Sequence, residues 1–209
     1  IQSTEDKINP ISLESLAAIQ GVKEKIASEI YAVTFSDNIA NQLTKYQLDE
    51  ILYVNSENLR EYNPLYFVDA FTKLNSQYSP DLFVFGHTYE TRDWVPRLGA
   101  RIDVPFLSDC IGMNFENGVS FVRSLYQNKI NVNLTVNSNK FIVSFQSGAY
   151  KIKSIKEGES AVKSISMDFS EVPNSIMNEE RFKESDGGVD LSSADFIVSI
   201  GRGIGKEEN

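Results

Sequence analysis

One stretch constrains the fold more than any other: Asp81 to Cys110, DLFVFGHTYETRDWVPRLGARIDVPFLSDC. Leu82 to Phe85 form a short apolar run that halts at Gly86. A polar loop follows, and Thr91, Arg92 and Asp93 lead into a helical spacing at Val95, Leu98 and Ile102. Asp93 is the expected N-cap. That choice puts Pro96 in the first turn, where a missing N–H costs little because the donor has no intrahelical partner. A second strand is expected from Val104 to Leu107, so two strands are joined by a helix long enough for a parallel crossover.

The residues before this stretch repeat the alternation. Ile1 to Ser3 read as the last residues of a strand, a turn runs over Glu5, Asp6 and Lys7, and Asn9-Pro10 precedes a helix expected to be capped by Ser12. Glu14 lies near its positive end, and Leu13, Leu16, Ala17 and Ile26 are its expected buried positions. Ile30 to Phe35 is rich in β-formers, Ser36 or Asp37 caps a short helix to about Tyr46, and Ile51 to Val54 is another strand. Asn63-Pro64 opens a helix with a stripe of Phe67, Val68, Phe71, Leu74 and Tyr78, read as core, and Pro80 ends it. Short buried strands alternating with helices predict an α/β fold, three-layer α/β/α, with a mostly parallel Rossmann-like sheet.

After Cys110 the pattern changes. Val119 to Tyr126, Ile130 to Val136 and Lys140 to Phe145 are β-rich and separated by Gln127-Asn128 and Asn137-Ser138-Asn139, which predicts added antiparallel strands in a meander. Val162 to Phe169 is a further strand. The polar stretch from about 170, which ends in Asp186-Gly187-Gly188, reads as an interdomain linker, and the first domain, with most of that linker, is placed over residues 1–185. Residues 186–209 then read as the first strand and glycine-rich turn of a second, truncated domain.

That turn, Gly201-Arg202-Gly203-Ile204-Gly205-Lys206, is not a phosphate loop of the Walker A type, because Ile200 and Glu207 occupy the glycine and hydroxyl positions. It also lacks the third glycine of a dinucleotide fingerprint, where Lys206 stands. His87 reads as an exposed loop histidine and Cys110 as a buried small thiol. One histidine and one cysteine assemble neither a metal cluster nor a catalytic constellation.

Composition narrows the partners. A net charge of −9 argues against nucleic acid and anionic membranes, which require clustered Lys and Arg. No apolar run approaches the roughly 18 residues of a membrane span. Ile1-Gln2-Ser3, followed at once by charged residues, does not read as a signal peptide, and a single cysteine excludes an internal disulfide and fits a reducing compartment.

Two segments add a family resemblance. Gly86, Arg92-Asp93, Pro96-Arg97-Leu98 and Ser108-Asp109 resemble the electron transfer flavoprotein alpha-subunit family, in which a strand ends at Gly, a loop carries Arg-Asp, and a Pro-Arg-Leu helix leads to a strand closing in Ser-Asp. Gly201-Arg202-Gly203 and Glu207-Glu208-Asn209 resemble the family's entry into its FAD domain. Asn9 to Glu14 and Val122-Arg123 with Tyr126 extend the match in the right order. Departures fall at Ile200, at His87 to Glu90 and at Gln127-Asn128-Lys129.

The resemblance implies an electron carrier rather than an enzyme. It would pair with a beta subunit and take electrons from flavin dehydrogenases, such as the acyl-CoA dehydrogenases of fatty acid oxidation. It would pass them to a quinone oxidoreductase. Most of the FAD contacts would belong to the second domain, and the implied cofactor-binding residue here is Arg202. The chain alone is expected to retain no flavin. The implied location is cytoplasmic, or the mitochondrial matrix in a eukaryote. Two rival readings stand beside it: an adenine-nucleotide-binding module of the stress-protein or nucleotide-hydrolase type using the Gly86 loop and the Arg92-Asp93 helix start, and a purely structural interaction domain.

Overall fold

Strands whose side chains alternate between two buried faces form the centre of the fold, and helices cover both faces. A computed structural model of the chain describes residues 1–4, 6–114, 118–179, 196–201 and 203. It opens with β1 (Ser3–Thr4), β2 (Lys7–Ile8), α1 (Pro10–Lys23), β3 (Tyr31–Thr34), α2 (Asp37–Leu43) and β4 (Glu50–Val54). Next come α3 (Pro64–Tyr78), β5 (Leu82–Gly86), α4 (Tyr89–Ile102) and β6 (Phe106–Asn114). The last elements are β7 (Ser120–Leu125), β8 (Ile130–Thr135), β9 (Phe141–Phe145) and β10 (Val162–Ile165).

Two larger sheets result. One has the order β10-β4-β3 and is parallel throughout. The other has the order β5-β9-β6-β7-β8, parallel over its first three strands and antiparallel over the rest. Within residues 1–178 the arrangement is an open three-layer α/β/α one. On one face α3 and α4 send Val68, Phe71, Leu74, Trp94, Val95 and Leu98 against Leu52, Val54 and Ile142. On the other, Leu16 of α1 and Ile39, Ala40 and Leu43 of α2 meet Ala32 and Ile51. A third cluster joins Ala18 of α1 to Leu107, Cys110, Phe121, Val143 and Phe145. Ile51 and Leu52 are neighbours in β4 yet feed different clusters, as do Ile142 and Val143 in β9. This two-sided burial belongs to central parallel strands.

Several expectations are corrected. Asn9, not Ser12, caps α1: its side chain accepts from Ile11 N, and Pro10 takes the first helical position. Ser12 instead bonds Gln2, its Oγ accepting from Gln2 N at 2.9 Å. Ile26 lies beyond the helix and is 47 % exposed. Thr88, not Asp93, caps α4, which leaves Pro96 in the helix interior. Thr88 Oγ1 accepts from Thr91 N at 3.2 Å, one turn earlier than expected. β6 starts at Phe106 because Val104 N still donates to Gly99 O, closing the helix through the left-handed Asp103. Phe141–Phe145 does not continue the meander. It inserts between β5 and β6, parallel to both, because Ile142, Val143, Ser144 and Phe145 are all buried and need cover on two faces.

By its internal contacts the chain divides into two units, Ile1–Asn178 and Glu179–Asn209. In the second, Phe196 to Ile200 form no strand, although the sequence reads as one. A strand needs a ladder partner, and no described residue provides one. Ala194, Asp195 and Arg202 lie outside the described residues.

Candidate functional site

The carboxyl ends of β5 and β9, together with Phe106, Ser108 and Asp109 from the first half of β6, border a cleft of about 1110 Å³. This is the place where α/β sheets present ligands, because the loops leaving parallel strands and the amino ends of helices converge there. β5 ends at Gly86, His87 and Thr88 follow, and α4 begins at once. The turn must be this tight because Gly86 sits against α1. A Cβ at Gly86 would lie 2.7 Å from Ile11 Cγ2, so this glycine serves helix packing rather than a ligand's approach.

β6 contributes through a break in its ladder. Its register against β9 shifts between Leu107 and Cys110, and Asp109 takes φ 59°, a left-handed value unusual for a residue with a side chain. The bulge turns Asp109 N toward Ser144 Oγ, at 3.2 Å. The same hydroxyl lies 2.9 Å from His87 Nδ1. Ser144 Oγ accepts from Asp109 N and keeps one proton and a second lone pair, so it can pair with Nδ1 in either histidine tautomer. Nε2 is 3.9 Å from Asp109 Oδ1. His87 is therefore not the exposed loop histidine the sequence suggests: its side chain is 16 % exposed. Burial holds it below the ordinary histidine range, with Arg92 and Arg123 adding to the effect and the Asp109 carboxylate opposing it.

Arg123 enters the cleft from β7. Its Nε is sealed from solvent and has no hydrogen-bond partner. Across the cleft, Arg92 in α4 lies over the exposed Tyr89 ring, 5.6 Å from its centroid. Asp93 is drawn away into a separate surface network, accepting from Tyr62 Oη at 2.7 Å and from Arg97 Nη2 at 2.9 Å. Cys110 is buried as expected, and burial pushes its thiol up to about 11, too high for a thiolate role near neutral pH. Ser144 is fully buried, so it orients His87 and cannot attack a substrate. The cleft can therefore hold and orient a polar molecule.

Of the residues singled out from sequence, the structure brings His87, Arg92 and Asp109 together and leaves Gly86 in the packing. Arg202 lies outside the described residues. Ser144 and the cleft-facing role of Arg123 were missed. The available signal was a hydroxyl in an otherwise apolar strand, Phe-Ile-Val-Ser-Phe, whereas the bulge at Asp109 leaves no sequence mark.

Comparison with known proteins bears on the whole chain. The family described as Electron transfer flavoprotein domain matches residues 1–169. The alpha subunit of the electron transfer flavoprotein of Bacillus subtilis is 26 % identical over 207 residues, covering 97 % of this chain and 62 % of that protein. Protein FixB of Clostridium saccharobutylicum is 24 % identical, covering the full chain and 64 % of its own length. The lactate dehydrogenase (NAD(+),ferredoxin) subunit LctC of Acetobacterium woodii is 22 % identical, covering the full chain and 51 % of its own. The chain thus spans about half to two thirds of the length of these relatives.

Proposed function

Because the chain belongs to the electron transfer flavoprotein family and is of the alpha-subunit type, we propose that it is the scaffold and beta-subunit contact of a heterodimeric, FAD-containing electron carrier. The observation that carries this reading is the family match over residues 1–169, which takes in all three sheets of the first unit. In the proposed assembly electrons arrive from a flavin dehydrogenase and leave to a quinone-linked acceptor. The likeness to a lactate dehydrogenase subunit extends the candidate donors beyond acyl-CoA dehydrogenases. Among the described residues no helix is long and apolar enough to cross a membrane.

The described residues of the second unit do not by themselves fit a flavin. Phe196 to Gly201 have neither helix nor strand, and a Cβ built at Gly201 or Gly203 meets open space. Arg202 is proposed as the one FAD contact in this chain, a fixed cation suited to phosphate or to an anionic reduced flavin. A single charge-assisted contact contributes about 1.5–3 kcal/mol, short of the roughly 8 kcal/mol that micromolar binding needs. The test is co-expression with a candidate beta subunit, followed by size exclusion and a visible absorbance scan with added FAD. The chain should copurify with the beta subunit and be colourless alone. Failure to associate would overturn the partner reading, and stoichiometric flavin on the isolated chain would remove Arg202 from its role.

A further inference from the structure

The cleft at the ends of β5 and β9, bordered by the first half of β6, contains a charge with no ion-pair partner among the described residues. Arg123 forms no ion pair with any described residue, and its buried Nε has no acceptor. A buried N–H donor is seldom left so, because it has lost water and gained no acceptor in return; the rest of the half-buried guanidinium lines the cleft. Among the described residues the other cation at the cleft, Arg92, lies over the Tyr89 ring and forms no ion pair. Glu90 and Asp109 also line the space, so the local charges balance even though the whole chain is strongly acidic. A diffuse attraction for anions is therefore absent. Capture must instead come from short, directed bonds at Arg123.

We propose that this cleft binds a small organic molecule bearing one oxyanion, phosphate or carboxylate, which accepts hydrogen bonds from the Arg123 guanidinium. The planar fork of terminal N–H donors on a guanidinium suits either headgroup. The volume, about 1110 Å³, exceeds what an inorganic anion needs and leaves room for an organic body. Gln146, Ser147 and Asn9 offer neutral hydrogen-bonding groups for that body, and Pro96 and Phe106 offer apolar wall. The amino end of α4, capped by Thr88, opens on the same space and adds its positive pole. This inference rests on Arg123 and the cleft and is independent of any flavin, so its failure leaves the carrier reading untouched.

The test is isothermal calorimetry at low chloride with ribose 5-phosphate, malonate and inorganic phosphate. The comparison proteins are Arg123→Met, Arg123→Lys and Ser147→Asp. Saturable binding of ribose 5-phosphate or malonate is expected, and whichever binds identifies the headgroup. Arg123→Met should weaken it by roughly tenfold or more, with partial recovery in Arg123→Lys. Ser147 is exposed, so Ser147→Asp adds a repelling carboxylate without touching the core and gives the answer if Arg123→Met fails to fold. The proposal is overturned if none of the three probes binds, or if a folded Arg123→Met binds as the parent does. It is also overturned if Ser147→Asp leaves binding unchanged, or if inorganic phosphate binds as tightly as both organic probes.

Discussion

His87 is the only histidine in the chain, so its titration can be isolated. Burial disfavours its charged form in the folded chain, and its proton affinity there is lower than in the unfolded chain, where the value is about 6.5. The unfolded state binds more protons in the window below that value, so acid favours unfolding. His87→Asn should therefore flatten the loss of stability as pH falls from about 6.5. The measurement is the urea midpoint of both proteins across that range, and parallel curves would contradict the assignment. Gly86 is a second single-residue device. Gly86→Ala would place a Cβ 2.7 Å from Ile11 Cγ2 and should cost about 1–3 kcal/mol. Adding Ile11→Ala should recover part of that loss, so a double-mutant cycle should show a favourable coupling between the two changes.

At the scale of elements, the β7–β8 hairpin turns through three consecutive left-handed residues, Tyr126, Gln127 and Asn128, with φ of 51°, 57° and 64°. Asparagine tolerates this region, but tyrosine and glutamine each lose about 1–2 kcal/mol there. Gln127→Gly relieves one such cost while raising the entropy of the unfolded chain by somewhat less, so a net gain of about 0.5–1 kcal/mol is expected. A higher urea midpoint at unchanged slope would show it. The position of this turn was legible in Gln127-Asn128, but its handedness was not, because no glycine marks it. The helix α3 was fully legible: Asn63 caps it, Pro64 opens it and its core stripe follows one face. α4 was harder to read, since Thr88 and Asp93 are both capping residue types and only packing chooses between them. β9 misled because its length and apolar run suit a hairpin or a central parallel strand equally. Its buried Ser144 was the one clue that it passes beneath the cleft, since that hydroxyl needs polar partners.

Across the molecule, the physical boundary of the first unit and the end of the family match do not coincide. The match stops at residue 169, whereas the compact unit runs to Asn178. Phe169 is 7 % exposed, meets the Tyr66 ring edge-on at 5.8 Å, and belongs to the cluster shared by α3 and α4. The nine residues after it add holds of a different kind. Val172 packs on that cluster, and its N–H closes a turn on Phe169 O. Asn63, 6 % exposed, uses Oδ1 to cap α3 and donates from Nδ2 to Ile176 O at 3.0 Å. Asn178 Nδ2 donates to Glu61 Oε2 at 3.2 Å. A chain ending at Asn178 retains all three clusters and should unfold cooperatively by itself. A chain ending at Phe169 loses the part-buried Asn63–Ile176 hydrogen bond, the exposed Asn178–Glu61 one and part of a valine's burial, together about 2 kcal/mol. For a domain of this size that corresponds to a fall of roughly 4–8 °C in Tm. Calorimetry on the two truncations measures the difference directly. Equal Tm values would show that residues 170–178 only lie on the surface, and that the unit ends where the family match does.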